Sequence, residues 1–178
     1  MDGINGITGG YSLVVLVALG YINVEIVCFV EQSLILTLLC SVLVFNFFNF
    51  RKCAKCFAGD VGSVSMAFII LFLIGQLILT TGNFSWIILL VVYGVDSVLT
   101  IIHRLMLHEN IGLPHRKHLY QIMANELKIP HIIVSLIYML IQALVIVLYL
   151  LFLDFGYYYL VGIVIILSFA YILFMKQF

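Results

Sequence analysis

Charged side chains are scarce in this sequence, and their scarcity excludes most soluble folds. Lysine, arginine, aspartate and glutamate make up 9% of the 178 residues, whereas a soluble domain carries about 25%. Hydrophobic residues make up 65%, so lipid is the expected solvent for much of the chain. Basic and acidic residues balance at eight each, which excludes the basic surface that a nucleic-acid-binding protein needs.

Long apolar runs are what the sequence has in abundance. Six runs each approach the about 20 residues that a bilayer-spanning helix needs. They cover residues 11–29, 33–49, 61–80, 84–105, 131–152 and 157–175. This pattern predicts an all-α fold, namely a polytopic integral membrane protein with about six transmembrane helices. We expect residues 1–178 to form a single transmembrane domain.

The basic residues predict how these spans are oriented. All eight lie at residues 51–55, 104, 116–117, 128 and 176. Six alternating spans place all of these positions on one side of the bilayer, and the positive-inside rule identifies that side as the cytosol. The N-terminal segment, the 51–60 loop, the 106–130 loop and the C-terminus are therefore predicted to be cytosolic.

The cysteines do not predict a disulfide framework. Cys28 and Cys40 lie in apolar runs, whereas Cys53 and Cys56 lie in the loop predicted to face the reducing cytosol. The latter two form a lone C-x-x-C without the second pair that a structural zinc site uses. We interpret them as incidental loop residues.

Asp60 is the first of several polar groups at the predicted cytosolic face. It lies between Gly59 and Gly62 at the start of the third run. One interpretation is a helix N-cap, in which the carboxylate accepts backbone N–H bonds. The other is a Mg²⁺ ligand that holds a substrate diphosphate, because this ion prefers hard carboxylate oxygens.

The segment His115-Arg116-Lys117-His118 brings four nitrogen-bearing side chains together. One interpretation is a solvated basic loop that touches anionic lipid. The other is phosphate recognition, since arginine offers a planar fork and histidine can donate or transfer a proton. Zinc is a weaker alternative because two histidines without clear further ligands make a poor site.

Asp96 is an ionisable residue within the fourth run, about 12 Å from its cytosolic end. Thr100 and His103 follow at i+4 and i+7, so all three share a helical face. An ionisable group at this depth must face protein or a wet cavity. We expect Asp96 either to pair with Arg104 or His103 in a structural cluster, or to line an active site.

Residues 119–127 predict a short helix that lies on the membrane or against the spans. Its predicted apolar face consists of Leu119, Ile122, Met123 and Leu127. A helix that binds a partner protein is the alternative.

Three segments together resemble one enzyme family. Residues 1–10, Met-Asp-Gly-Ile-Asn-Gly-Ile-Thr-Gly-Gly, resemble the Asp-Gly-x-Asp-Gly segment of the polyprenyl-phosphate N-acetylhexosamine-1-phosphate transferases. Residues 55–63, Lys-Cys-Phe-Ala-Gly-Asp-Val-Gly-Ser, look like that family's Ala-Lys-x-Phe-x-Gly-Asp-x-Gly-Ser segment. Residues 115–121 are similar to its His-rich loop, and residues 96–104 to the Asp-bearing span before that loop.

The resemblance implies a reaction, a cofactor and a location. The family transfers a sugar-1-phosphate from a UDP-sugar to a polyprenyl phosphate, with Mg²⁺, at the cytosolic face of the bacterial inner membrane. The implied partners are a UDP-N-acetylhexosamine, a polyprenyl phosphate such as undecaprenyl phosphate, and the lipid bilayer. No nucleic acid is implied.

The resemblance also implies roles for individual residues. Asp60 is expected to bind Mg²⁺ and the donor diphosphate. The residues expected to act with it in catalysis, by contacting the diphosphate or the sugar, are His115, Arg116 and His118. The residues expected to bind substrate are Asp2, Asn5, Lys55 and Gly59.

The sequence departs from the family pattern at several positions. Asn5 replaces the second Asp of the Gly-rich segment, and Tyr120 and Gln121 replace later histidines of the His-rich loop. The latter variant looks like the branch that handles modified N-acetylhexosamines for surface polysaccharides. The family also carries an Asp-Asp pair before the Gly-rich segment, and this sequence has none.

We therefore expect the chain to correspond to the C-terminal half of such an enzyme. It would be a truncated product, a mis-assigned start or one half of a split enzyme, completed by an N-terminal half or acting as a homodimer. Little or no transfer activity is expected of the chain alone. The alternatives to a transferase are a non-catalytic membrane module and a small transporter that uses Asp96 and the His cluster.

Overall fold

The computed structural model describes residues 3–110, 112 and 117–176 of the chain. These residues form seven α-helices and no β-strand. The helices are α1 (Ile7–Glu25), α2 (Gln32–Asn49), α3 (Gly59–Thr81), α4 (Val91–Met106), α5 (Leu119–Asn125), α6 (His131–Leu151) and α7 (Gly156–Met175). Within the described residues, six helical segments are long and apolar enough to cross a membrane, and the fourth of them covers Phe84–Met106. The predicted all-α polytopic fold is confirmed.

Helix α1 is the centre of the bundle. It packs against α2, α6 and α3, and 67% of its most apolar window is buried. Helix α7 lies at the periphery, where it packs mainly against α4 and only 6% of its window is buried. A helix that is apolar on all sides needs either protein or lipid around it, so these two spans represent the two extremes.

Helix α1 begins earlier than the apolar run predicted. It starts at Ile7 rather than near residue 11, so residues 8–10 belong to the helix. Gly6 precedes it with φ +85° and donates its N–H to Asn49 Oδ1 over 2.8 Å. A Cβ atom on Gly6 would lie 2.5 Å from the ring of Phe50. Glycine is therefore required both for the left-handed turn and for the close approach to the end of α2.

The connections between spans lie at two ends of the bundle. We call one the turn end, which comprises residues 26–31, 82–83 and 152–155. We call the other the loop end, which comprises residues 3–6, 50–58, 107–110 and 117–130. The residues of the predicted site that the structure describes lie at the loop end or, for Gly59 and Asp60, in the first turn of α3 next to it.

The fourth span is interrupted, although the sequence predicted one continuous run. Residues Phe84–Leu90 form a 3₁₀-helix, and α4 begins only at Val91. The Val91 N–H group donates to the carbonyl oxygen of Ile88, three residues back. The next N–H group, of Val92, belongs to the first turn of α4, where N–H groups have no partner within the helix.

Gln142 of α6 supplies the missing partners at this interruption. Its side chain is fully buried, and its Nε2 donates to Ile88 O over 3.0 Å. Its Oε1 accepts from Val92 N–H over 3.3 Å and from the Tyr11 hydroxyl over 2.6 Å. Backbone at membrane depth must be satisfied by protein, because lipid offers no hydrogen bonds. One amide thus allows the fourth span to change helix type within the bundle.

Replacing Gln142 with leucine tests this role. The substitution leaves the Val92 N–H group without its acceptor and removes the oxygen to which Tyr11 donates. We expect the free energy of unfolding in micelles to fall by about 2 kcal/mol. A buried unsatisfied polar group costs about 1–3 kcal/mol, and hydrogen bonds between membrane helices contribute less than the upper end of this range. Reversible denaturation with dodecyl sulfate, followed by circular dichroism, measures the change.

Gln76→Leu is the matched control, because Gln76 is half-buried on α3. Its replacement should change the free energy of unfolding by less than about 0.5 kcal/mol. Equal losses in the two variants would show that Gln142 does not have the role assigned to it.

Candidate functional site

Asn5 joins three parts of the loop end. Its side-chain amide donates to the carbonyl oxygens of Arg51 and Lys52, over 3.1 and 3.2 Å. Its backbone N–H donates to His131 Nδ1 over 3.4 Å, and its carbonyl oxygen accepts from Ser135 Oγ over 2.8 Å. The Gly-rich segment is therefore hydrogen-bonded both to residues 51–58, which we call the basic loop, and to the first turns of α6.

The Gly-rich segment also reaches α5, which follows the His-rich loop. A Cβ atom on Gly3 would lie 3.1 Å from Gln121 Nε2. The Oε1 atom of Gln121 accepts from the backbone N–H of His118 over 3.4 Å. The structure thus brings Asn5, the start of the basic loop and His118 to one end of the bundle. Asp2, His115 and Arg116 lie outside the described residues.

Asp60 lies in the first turn of α3, where its side chain is exposed. The helix begins at Gly59 rather than near residue 61, and Ala58 occupies the N-cap position. The interpretation of Asp60 as an N-cap is therefore wrong. The positive end of the helix dipole favours a carboxylate here, and it would equally favour a phosphate.

Lys55 and Gly59, the two other site residues predicted from the 51–60 segment, are also exposed. Lys55 presents its side chain to solvent, while its backbone N–H donates to Phe48 O over 2.9 Å. Gly59 has φ +62°, and a Cβ atom there would meet nothing within 4 Å. Glycine is needed here because of the left-handed backbone conformation and not because space is short. This conformation lets the chain turn directly into α3.

A cleft of about 230 Å³ lies between α1, α3 and α4. Its lining is mostly apolar, with hydroxyl groups at intervals. The lining includes Thr8, Tyr11, Ser63, Ile70, Tyr93 and Ser97. Ser63 lies one turn after Asp60 and donates to its backbone oxygen over 3.2 Å. One lining residue of the cleft, Ser63, is therefore in contact with Asp60, and the other lining residues lie further along the spans.

Asp96 is buried on α4 at the centre of a polar cluster. Its Oδ1 accepts from the Leu119 N–H group over 3.0 Å and from Thr100 Oγ1 over 3.3 Å. Its Oδ2 accepts from the Tyr138 hydroxyl over 3.0 Å. The Nδ1 atom of His118 lies 3.6 Å from Oδ1. Asp96 therefore connects the buried face of α4 to the start of α5.

The predicted pairing of Asp96 with Arg104 or His103 is wrong. Arg104 is buried and forms an ion pair with Glu109, with Nε 3.3 Å from Oε2. It also donates to the carbonyl oxygen of Asn110 over 2.6 Å. His103 is only half-buried. The buried face of α4 carries residues at i, i+4 and i+8 from Asp96, so Arg104 lies two turns away from the carboxylate.

Glu109 connects Arg104 to the far end of the His-rich loop, because it also pairs with Lys117. The hydrogen bond from Lys117 is the main cause that lowers the pKa of the Glu109 carboxyl below its ordinary value. Partial desolvation opposes this shift in pKa, and Arg104 adds to it. The carboxylate thus holds both ends of the loop to the end of α4.

Helix α5 is shorter than predicted and packs on α6. It covers Leu119–Asn125 rather than residues 119–127, and Leu127 is exposed. Its buried residues are Tyr120, Ile122 and Ala124. The prediction of a short helix against the spans holds, but the buried face is centred on Tyr120.

Sequence reasoning missed the tyrosines that surround Asp96. Tyr138 on α6 binds the carboxylate directly, and Tyr171 on α7 lies 2.9 Å from Thr100 Oγ1. The available signal was the presence of hydroxyl and amide side chains within apolar runs, where each must find a partner.

Asn5→Asp tests the hydrogen bonds by which the Asn5 side chain holds the basic loop. A carboxylate accepts hydrogen bonds but cannot donate them, so it would face the Arg51 and Lys52 carbonyl oxygens unfavourably. We expect the alkylation rate of the half-buried Cys56 to rise by about fivefold or more, the equivalent of one lost hydrogen bond. Mass spectrometry after timed treatment with a thiol reagent measures the rate.

Cys53 in the same loop is already exposed, so its rate should change little. Asn125→Asp is the control for charge, because Asn125 is exposed at the end of α5. If Asn125→Asp accelerates the labelling of Cys56 as much as Asn5→Asp does, the hydrogen bonds of Asn5 are not what protects Cys56.

Glu109→Gln tests the closure of the His-rich loop. The pKa of Glu109 is lower in the folded chain than the ordinary value of about 4.3. The pairing therefore stabilises the loop above that pH, and the stabilisation is lost as the pH falls through the lowered value. We expect amides of residues 107–110 to exchange faster in Glu109→Gln than in the wild type at about pH 6, and equally fast at about pH 2.

Hydrogen–deuterium exchange at matched pH measures this ratio, and Glu126→Gln, at an exposed position, is the control. A difference between wild type and Glu109→Gln that persists at the acid end would contradict the assigned pairing.

Comparison with known proteins gives a family for the residues described above. The family model "Glycosyl transferase family 4" matches residues 1–78, which include the Gly-rich segment and the Asp60 turn. A "Probable undecaprenyl-phosphate N-acetylglucosaminyl 1-phosphate transferase" of Bacillus subtilis (strain 168) is 31% identical to the chain over 125 residues. This match covers 67% of the chain and 34% of the relative.

The chain thus spans about a third of the length of the curated relative it matches. No solved structure matches the chain. The resemblance inferred from the motifs is confirmed for this portion: through residues 1–78, the chain belongs to glycosyl transferase family 4.

Proposed function

We propose that this chain takes part in the transfer of an N-acetylhexosamine-1-phosphate from a UDP-sugar to a polyprenyl phosphate such as undecaprenyl phosphate. The reaction takes place at the cytosolic face of a bacterial inner membrane, releases UMP and begins a lipid-linked surface glycan. The observation that carries the proposal is the meeting of separate segments at the loop end. Asn5 bonds to the loop that leads to Asp60, and Gly3 lies against Gln121 beside His118.

Asp60 is the residue proposed to hold Mg²⁺. The described residues contain no group of three or more side chains that could form a metal cage. A single exposed carboxylate nevertheless fits this ion, which keeps several waters and is commonly held by one or two carboxylates and by substrate phosphates. When bound, the ion would neutralise charge on the diphosphate and on the departing UMP.

The chain's own residues are proposed to have separate roles in binding the donor. Asp60 places the diphosphate at the start of α3, where the helix dipole also favours it. Lys55 lies in the loop before α3 and adds a cation near the phosphates. Gly59 makes the turn between this loop and Asp60. On the other side, His118 offers a ring nitrogen to the donor, and His115 and Arg116 belong to the same segment. Asp2 and Asn5 are proposed to contact the nucleotide.

The cleft between α1, α3 and α4 is proposed to receive the acceptor. Its apolar lining suits an isoprenoid chain, and Ser63 in that lining lies one turn from Asp60. An acceptor with its tail in this cleft would present its phosphate where the donor diphosphate is held. Proximity of this kind removes much of the entropic cost of a reaction between two substrates.

Radiolabelled transfer tests the proposal. Membranes are prepared from cells that express the chain, alone and together with the coding sequence that adjoins it, and are supplied with Mg²⁺, a UDP-N-acetylhexosamine and undecaprenyl phosphate. We expect Asp60→Asn to lower the yield of labelled lipid by about 100-fold or more, because it removes the charge that stabilises the transition state through the ion.

Asp154→Asn is the matched control, since Asp154 lies at the turn end and its side chain is exposed. It should retain full transfer. Transfer that survives Asp60→Asn would contradict the assigned role, and absence of transfer in all preparations would favour a non-catalytic membrane module.

A further inference from the structure

We propose that Arg51 and Lys52, just beyond the end of α2, form a binding site for the headgroup phosphate of an anionic phospholipid. Both cations belong to the basic loop, but neither lines the cleft between α1, α3 and α4, and neither is among the residues to which transfer is assigned. The site therefore does not depend on the proposed function.

The length of α2 places Arg51 at the surface of the bilayer. The helix covers Gln32–Asn49, which is 18 residues or about 27 Å, and the hydrocarbon core of a bilayer is about 30 Å thick. Only 17% of the most apolar window of α2 is buried in the bundle, so most of this helix faces lipid. A cation two residues beyond its end lies at the level of the lipid headgroups.

The guanidinium of Arg51 is held against a lipid-facing ring. Its Nε donates to the carbonyl oxygen of Phe47 over 2.6 Å, and its Cζ lies 4.6 Å from the centroid of the Phe47 ring. Phe47 is 65% exposed, and its ring meets that of Phe48 edge-on at 5.1 Å. An arginine that stacks on an aromatic face in this way keeps its remaining N–H groups in a defined orientation.

The two Nη groups of Arg51 are the donors that remain for a ligand. Among the residues that the structure describes, neither Nη group has a hydrogen-bond partner, and no carboxylate lies within ion-pair distance of Arg51 or Lys52. Two N–H groups of a guanidinium match two oxygens of a phosphate in a bidentate contact. Lys52 is exposed next to Arg51 in the chain and supplies a second positive charge.

The backbone of both cations is already fixed. Asn5 donates to the carbonyl oxygens of Arg51 and Lys52, and the Arg51 N–H group donates to Asn49 O over 2.8 Å. A ligand therefore does not have to order the loop, which removes one of the costs of binding. The acyl chains of a phospholipid would lie along α2 beside Phe47, where inorganic phosphate has nothing to contact. These features favour a phospholipid as the ligand.

A solvated basic loop without a specific site predicts something different. Such a loop attracts anionic lipid through its total charge, so each exposed cation at the loop end would contribute equally. The ring of Phe47 and the planar shape of the guanidinium would then have no effect on affinity. Arg51→Lys and Phe47→Leu keep the net charge and therefore separate the two models.

Native mass spectrometry of the full chain with phosphatidylglycerol in micelles tests the proposal. The occupancy of the first bound lipid gives an apparent Kd. We expect Arg51→Gln to weaken binding by about fivefold or more, the contribution of one basic residue near an anionic surface. We expect Arg51→Lys and Phe47→Leu to weaken it by about twofold or more, because they remove the bidentate fork and the cation–π contact.

Lys128→Gln is the matched control for charge, because Lys128 is also exposed at the loop end. Phe68→Leu is the control for loss of a lipid-facing ring, because Phe68 is 71% exposed on α3. Both should leave the Kd unchanged, and an unchanged alkylation rate of Cys56 would report that the basic loop stays folded in each variant.

Three results would overturn the proposal. One is an equal loss of affinity in Arg51→Gln and Lys128→Gln, which would show attraction by total charge. Another is wild-type affinity in both Arg51→Lys and Phe47→Leu. The third is binding of phosphatidylcholine as tight as that of phosphatidylglycerol, or complete displacement of phosphatidylglycerol by inorganic phosphate, because either would show that an anionic phospholipid is not the ligand.

A second measurement uses the unaltered chain and decides the question even if the variants do not fold. Phosphatidylglycerol and phosphatidylcholine with the same photoreactive acyl chain are mixed in nanodiscs that contain the chain, and the cross-linked peptides are identified. We expect adducts of phosphatidylglycerol to be enriched over those of phosphatidylcholine at residues 47–57, relative to residues 168–176 at the same end of α7. An equal ratio at the two places would overturn the proposal, whatever the outcome of the transfer assay.

Discussion

The amide of Gln142 is the interaction on which the arrangement of the spans depends. It bonds to Ile88 O and Val92 N–H across the change from 3₁₀-helix to α4, at a depth where water cannot replace it. Without that amide, the fourth span would have to continue as one helical type or leave a backbone N–H group unsatisfied. The direction of α4, and hence the position of every residue that it carries, follows from this bond.

A second polar contact between α4 and α6 lies nearer the loop end. There Asp96 accepts from Tyr138, so the two spans are joined at two depths by Gln142 and Asp96. Tyr11 of α1 adds a third element, because it donates to Gln142 and stacks on Tyr93 of α4 with ring centroids 3.8 Å apart. Apolar contacts alone discriminate poorly between neighbouring helices in lipid, and these polar contacts supply the specificity. The geometry of the loop end depends on these polar contacts between the spans.

The sequence predicted the spans well because a bilayer imposes their length and composition, and it predicted their internal structure poorly. The interruption at Val91 has no signature, since Phe84–Leu90 is apolar except for Ser85 and carries no periodicity to mark a 3₁₀-helix. The early start of α1 was hidden by glycines that usually indicate a turn. The partners of Asp96 could not be predicted either, because one of them is the backbone N–H group of Leu119, which every residue type except proline possesses. By contrast, the sequence placed Asp60 at the start of the third span, and the structure has it in the first turn of α3.

Asn5 shows how a departure from the family pattern changes what a position can do. An aspartate there would offer only acceptors, and it could bind a cation or a nucleotide donor group. The asparagine instead uses its amide nitrogen to hold two carbonyl oxygens of the basic loop. The acceptor that remains on its side chain is Oδ1. Any contact of Asn5 with a nucleotide through that atom must therefore be to a donor, such as a base N–H or a ribose hydroxyl. The negative charge that the family pattern shares between two positions of the Gly-rich segment is then reduced, and under the proposed function Asp60 would carry a larger share of the cation binding.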